Sequence, residues 1–357
     1  MEKFFYNKKV LITGHTGFKG AWLTQMLLGF DAKIVGVSLV PDTTPNLFTI
    51  LGLEEKVKNY FVDIRDLEAM KKIFQTEKPD IVFHLAAQAL VRTSYLDPVG
   101  TISTNVVGTA NILEAIKDVG CVKSAVIITT DKVYENNELG KPFSENDPLG
   151  GYDPYSSSKA AADIITQSYI QSFFNPRDFG VTHTTLVAIA RAGNVIGGGD
   201  WSEYRLIPDI VRSMYHDDTA IEIRSPYSIR PWQHVLEPLF GYLLLAKGLY
   251  KENVHLSGAW NFGPHKDSFV AVSDLIEEVN KNEEQCTYTI NPDKSKHEAG
   301  VLKLNIDKAI NMLEWNPRLT FGGTIDMTIA WYDNYYKEKE DVAGFTQNQI
   351  NVFLRNI

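Results

Sequence analysis

Near the N-terminus stands Val10-Leu11-Ile12-Thr13-Gly14-His15-Thr16-Gly17-Phe18-Lys19-Gly20-Ala21-Trp22-Leu23. No other stretch restricts the possible folds as strongly. A short apolar run reads as a strand, and an apolar periodic stretch after Gly20 reads as a helix. Three glycines separate them at GxxGxxG spacing. Glycine permits the tight turn and the close backbone approach that a pyrophosphate needs. The helix that follows aims free N–H groups and its positive dipole end at the same anion. The alternative, an ordinary glycine-rich turn, lacks the strand before and the helix after. The spacing departs from the commoner GxGxxG dinucleotide fingerprint.

Further apolar runs follow at Ile34–Val37, Tyr60–Val62, Ile81–Phe83 and Ala125–Ile128. They are rich in Val, Ile and Phe, as strands covered on both faces are. Helical patterns separate them, notably 66–76 and 98–118, where Ile102, Val106, Ala110, Leu113 and Ile116 share a face. This alternation predicts an α/β fold of Rossmann type, a doubly wound parallel sheet. From about residue 191 the strands become short (221–223, 260–262) and helices recur at 207–215, 236–250, 272–281, 307–313 and 324–336. The expected division is a dinucleotide-binding domain over 1–190 and a smaller mixed α/β substrate domain over 191–357. Segments near 235–262 and 307–336 are expected to return to the first sheet.

The chain has 357 residues, enough for about two domains. Its net charge of −9 argues against a nucleic-acid partner. Two cysteines, Cys121 and Cys286, form no CxxC or Cys/His cluster, so neither a disulfide framework nor a metal site is expected. Lysines interrupt the N-terminal apolar residues, and no apolar run reaches membrane-spanning length. A cytoplasmic location follows as the expectation.

Tyr155 and Lys159 lie four apart at the start of a helical pattern running to about 173, so they share a face. A lysine ammonium beside the phenol would lower its pKa and make it a general base. The bare pair is expected about once by chance in a chain of this composition, so its place after the fifth strand–helix unit carries the weight. The run 125–128 ends in Thr129-Thr130-Asp131-Lys132, at the strand edge where ligands bind in such sheets. There Thr130 can hold a substrate hydroxyl, Asp131 can act as an acid and Lys132 as a base; a polar loop is the equal alternative. The second strand ends near Ser38 without the acidic residue that usually holds a ribose. No Lys or Arg stands between Lys33 and Lys56 for a 2′-phosphate, which favours NAD over NADP. Asp63 is either an adenine contact or a turn residue paired with Arg65. His84 reads as a structural histidine. The segment Arg230–His234 suits a diphosphate, and Gly197–Trp201 reads as a flexible loop over the substrate. The charged tail 337–341 reads as a solvated helix end.

The segments 14–23, 84–92, 103–109, 129–137, 150–159, 191–201 and 230–239 together resemble the nucleotide-sugar 4,6-dehydratases. These belong to the extended short-chain dehydrogenase/reductase superfamily, and the last two segments resemble its CDP-glucose branch. The resemblance runs from about residue 8 to 336. It implies tightly bound NAD, regenerated in each turnover, held by Gly14, Thr16, Gly17, Phe18, Gly20 and Ser38. Asp63 and Ile64 would face the adenine, and Ala86, Tyr155 and Lys159 would line the rest. Thr130, Asp131, Lys132, Tyr155 and Lys159 would be catalytic. Asn194, Arg205, Arg230 and His234 would bind substrate, CDP-glucose or a similar nucleotide sugar. In the dTDP-glucose relatives a glutamate stands where this chain has Lys132. The resemblance also implies deoxysugar synthesis of the kind that supplies lipopolysaccharide O-antigen. It further implies a homodimer or homotetramer in which helices 98–118 and 155–173 pair into a four-helix bundle. A 4-epimerase and a non-catalytic dinucleotide sensor are the competing readings.

Overall fold

A computed structural model describes every residue except 137–139, 216–219, 224, 283–284, 292–301, 340 and 356–357. Asn137, the end of one quoted segment, and Glu340 of the charged tail therefore lie outside the described residues. Six strands follow in chain order: β1 (Lys9–Thr13), β2 (Lys33–Ser38), β3 (Lys58–Phe61), β4 (Ile81–His84), β5 (Ser124–Ile128) and β6 (Leu186–Ala192). A seventh, Gly258–Phe262, pairs parallel with β6. The sheet order is Gly258–Phe262, β6, β5, β4, β1, β2, β3, and every pairing is parallel.

Strand periodicity divides the core into two layers. Val10, Ile12, Phe83, Val126 and Ile128 face one way, with Trp22, Leu23, Leu239 and Leu243 from the helices Phe18–Leu28 and Leu236–Tyr250. Leu11, Val82, Ala125 and Ile127 face the other, with Phe74, Ile112, Ile116 and Ile170 from the helices Leu67–Glu77, Gly108–Val119 and Pro154–Ser172. Each fully buried Leu or Ile contributes roughly 1.5–3 kcal/mol over its exposed state. Helix starts are set by local caps: Asp66 accepts from Ala69 N, and Asp153 accepts from Ser156 N ahead of Pro154.

Three expectations are corrected. β3 is an edge strand of half-exposed residues, not a strand covered on both faces. β6 was not expected, because Ala188, Ala190, Arg191 and Ala192 mask its strand pattern. The predicted helix 98–118 is Pro98–Ile102, a π turn over Ser103–Val107, and then Gly108–Val119. The late strand does return to the first sheet. A helix beyond the charged tail, Val342–Arg355, buries Ile350 and Phe353 against the core.

The strand order reverses between β1 and β4, with β2 and β3 added on one side of β1 and β4 to β6 on the other, and the carboxyl ends of β1, β2, β4 and β5 open into one cleft of about 1480 Å³. That is the place where an open parallel sheet binds its ligands.

Candidate active site

At one end of the cleft the loop after β1 turns on Gly14 at φ +75°, with Gly14 N donating to Val37 O. A Cβ at Gly14 would meet Ala86 N at 2.7 Å, and one at Gly20 would stand 2.0 Å from Gly14 O. Gly17 is the N-cap of Phe18–Leu28, and no side chain caps that helix start. Free N–H groups thus face a backbone hollow that any side chain would fill, which fits a dinucleotide pyrophosphate. Thr16 Oγ1 bonds Ser38 Oγ at 2.7 Å and donates to Leu39 O, tying the loop to the end of β2. His15 is buried; its Nε2 meets Asn59 Oδ1 at 2.8 Å, and burial keeps its pKa low.

Asp63 lines the same end, and Arg65 holds its carboxylate from Nε and Nη2, which sets its pKa below the ordinary carboxylate value. The pairing with Arg65 is the turn reading of Asp63, and Arg65 N also donates to Asp63 Oδ1 at 2.8 Å. The fold brings Arg65 to the cleft from beyond β3, with its charge committed to Asp63. Ile64 packs on Gly108, and Ala86 N donates to Thr13 Oγ1 at 3.2 Å. His84 is fully satisfied: Nδ1 bonds Thr13 Oγ1 at 2.7 Å and Nε2 bonds Thr109 Oγ1 at 3.0 Å. Burial, and then the charge on Lys159, pushes its pKa down to about 3, so the imidazole is neutral.

The turn Asp131–Val133 follows β5 and is N-capped by Thr130, whose Oγ1 accepts from Lys132 N. Thr130 also donates to Asp131 Oδ1 at 3.0 Å and shares a hydrogen bond with Tyr155. Lys132 Nζ stands 3.6 Å from Asp131 Oδ1 and 3.4 Å from Asn194 Oδ1. Asp131 does not line the cleft; it is wholly buried behind Thr130 and Lys132, with Oδ2 beside Gly193 and without a hydrogen-bond partner. Tyr155 and Lys159 line the cleft on consecutive turns of Pro154–Ser172.

The expected lowering of the Tyr155 pKa is reversed in this structure. Burial pushes its phenol up to about 12, against the hydrogen bond it shares with Thr130. Lys159 Nζ donates to Ile128 O at 2.8 Å, and burial lowers its own pKa to about 8. The tyrosine is therefore a neutral hydroxyl until a bound ligand changes its surroundings.

Lys19 is a site residue that sequence reasoning passed over. It lines the cleft, and burial, then Arg205 and Lys159, lower its pKa to about 7, against the charge of Asp131. A signal was present. A cation in the first turn of a helix opposes the helix dipole, so its position there is informative.

Asn194, Arg205, Arg230 and Trp232 line the opposite wall. Arg205 pairs with Asp200 at 2.9 Å, and Arg230 is buried with Nη1 donating to Ile229 O. His234 does not reach the cleft. It is fully buried against Trp22, and burial holds its pKa near 3. Gly197–Trp201 is packed rather than flexible: Trp22 Nε1 donates to Gly198 O, and Tyr332 hydroxyl donates to Asp200 O. Trp201 is buried against Trp331 and Tyr332.

The model for the family described as GDP-mannose 4,6 dehydratase matches residues 11–328. CDP-glucose 4,6-dehydratase of Salmonella typhimurium is 43% identical over 354 residues, which cover 99% of this chain and 98% of that protein. dTDP-glucose 4,6-dehydratase of Shigella flexneri is 27% identical over 91% of this chain and 92% of its own. Among solved structures, the UDP-glucose 4-epimerase of Thermotoga maritima with UDP-glucose superimposes with a TM-score of 0.76. It is 21% identical, and the match covers 93% of this chain and 100% of that one. That likeness shows the fold.

Proposed function

The chain belongs to the GDP-mannose 4,6 dehydratase family, and on that premise we propose that it is an NAD-dependent lyase converting CDP-glucose to CDP-4-keto-6-deoxyglucose. One observation carries the reading. Thr130, Lys132, Tyr155 and Lys159 line the cleft that also holds the glycine loop, and Asp131 lies buried directly behind them, bonded by Thr130 Oγ1 and 3.6 Å from Lys132 Nζ. In this reading residues 1–190, with the returning strand, hold the dinucleotide, and most of 191–357 holds the nucleotide sugar.

The glycine hollow, Thr16, Phe18, Ser38, Asp63, Ile64 and Ala86 would hold NAD. Bound there, NAD supplies a hydride acceptor and later a hydride donor, so it has no need to leave between turnovers. Tyr155 takes the proton of the C4 hydroxyl, oriented by Thr130. Lys159, charged below about pH 8, favours the deprotonated phenol. The C4 carbonyl makes C5–H acidic, and Lys132 takes that proton. Asp131 is the acid for the C6 hydroxyl, its proton reaching the cleft through Thr130, which bonds its Oδ1, and water leaves. When hydride returns to C6, Lys132 gives its proton back to C5, and the proton held by Tyr155 passes through Thr130, which bonds both groups, to Asp131, so each residue is reset. Arg230, Arg205 and Asn194 would hold the diphosphate and sugar. The burial of His234 removes it from this set.

A 4-epimerase would have no hydroxyl to expel and no use for the Asp131–Lys132 pair. Incubation with CDP-, dTDP-, UDP- and GDP-glucose plus NAD, followed by NMR, tests the reading. A 4-keto-6-deoxy product from CDP-glucose is expected, while a C4 epimer would replace the reading.

A homo-oligomer forms part of the proposal. Val99, Ile102 and Val107 on one helical segment, and Ile164 and Phe173 on or beside Pro154–Ser172, are exposed. Large apolar side chains on two adjacent helices suit pairing across a two-fold axis into a four-helix bundle. A cytoplasmic site is also proposed, supported by two free cysteines; among the described residues no helix is long and apolar enough to cross a membrane.

A further inference from the structure

Behind the catalytic turn lies a buried polar network that none of the proposed chemical steps uses. Arg191 is 1% exposed and Asp163 is wholly buried. Arg191 grips Asp163 in a fork, Nε to Oδ2 at 2.8 Å and Nη2 to Oδ1 at 2.8 Å. Thr129 Oγ1 donates to Asp163 Oδ2 at 3.2 Å, and Gln167 Nε2 donates to Oδ1 at 2.7 Å. On its far side, Arg191 Nη1 donates to the Tyr134 hydroxyl at 2.8 Å and to Glu145 O at 2.9 Å. The Tyr134 hydroxyl in turn donates to Asn261 Oδ1 at 2.7 Å, on the returning strand.

Thr129 and Tyr134 bracket the segment Thr130–Val133. Both ends of the turn carrying Asp131 and Lys132 are therefore tied to one guanidinium–carboxylate unit. Asp163 also lies one turn beyond Lys159 on the same helix, and its charge supports the protonated lysine. A buried ion pair is a poor source of stability, because apolar residues of the same volume serve as well or better. What a fully bonded fork supplies is fixed direction. We propose that Arg191, with Asp163, is a positioning residue of the proposed dehydration, holding Asp131 and Lys132 in register with Tyr155 and Lys159. The proposal rests on the reading of the cleft as a dehydratase site.

The test compares the parent with Arg191→Lys, which keeps the charge but loses the fork. A second variant, Tyr134→Phe, removes only the hydroxyl joining Arg191 to the far end of the turn. For Arg191→Lys, kcat on CDP-glucose is expected to fall at least about tenfold, with KM within about twofold of the parent. Tyr134→Phe should show the same split with a smaller fall. Amide hydrogen exchange over 129–134 should quicken in both variants while β1 and β4 keep their protection. If Arg191→Lys does not fold, Tyr134→Phe carries the test alone. A kcat within twofold of the parent in a folded variant, or unchanged exchange over 129–134, overturns the proposal. If the parent does not act on CDP-glucose, the reading of function fails, and the exchange measurement still decides whether the pair holds the turn.

Discussion

At the scale of single residues, Lys132 and Lys19 separate the steps of the account. Lys132→Ala should still oxidise C4, seen as reduced-nicotinamide absorbance, but stall before water loss, with turnover down by roughly 10²–10⁴. Full dehydratase activity would remove Lys132 from the chemistry. Burial lowers the Lys19 pKa to about 7, so its cation is present below that pH and lost above it. A nucleotide sugar is anionic, and its affinity should therefore weaken as pH rises through about 7. In Lys19→Met the part of the fall centred near 7 should disappear from a titration of binding against pH. The residue types of the site were legible in the sequence, because Gly14, Tyr155, Lys159 and the 129–132 segment stand at strand ends and helix starts. Their electrostatics were not. Opposite charge predicts a lowered Tyr155 pKa, but burial wins in the free protein, and Lys159 turns to the Ile128 carbonyl. Burial is a property of the whole fold, so spacing along the chain does not carry it. His234 failed as a candidate for the same reason: nothing in its neighbours reveals that Trp22 covers it.

At the scale of elements, the glycine loop gives a graded prediction. A Cβ at Gly20 would collide with backbone, at 2.0 Å from Gly14 O and 2.7 Å from His15 Cα. Gly20→Ala should destabilise the protein by about 3 kcal/mol or more and abolish NAD retention. At Gly17 a Cβ would meet only Gly14 O, at 3.5 Å, and the backbone there is extended with φ −76°. Gly17→Ala should cost less than about 1 kcal/mol. Thermal melts with and without NAD check both, and equal effects at the two positions would contradict the geometry. Elements with clean periodicity, such as Leu236–Tyr250 and Asp307–Leu313, were legible to the residue. The π turn at Ser103–Val107 was not, because it interrupts the helix where Asn105 turns its amide to Gln88 O and the Ser158 hydroxyl. Gly197–Trp201 looked flexible by composition. It is rigid because distant aromatic residues, Trp331 and Tyr332, pack on it.

At the scale of the whole molecule, parallel pairing and the reversal between β1 and β4 fix where chemistry can occur. The alternation of strand and helix gave this topology, while the partner of the returning strand came only from the fold. The exposed apolar residues on the two adjacent helices predict association. A Val99→Glu/Ile164→Glu double variant should sediment as a monomer while the parent sediments as a dimer or tetramer. A parent that remains monomeric at all concentrations would refute the bundle. The claim joining all three scales is that one pocket removes hydride from C4 of the sugar and returns it to C6 of the same molecule. CDP-glucose carrying deuterium at C4 tests this directly by NMR of the product. A 4-keto-6-deoxy sugar with deuterium at C6 is expected. Deuterium washed into solvent, or retained at C4 of an epimer, would contradict it.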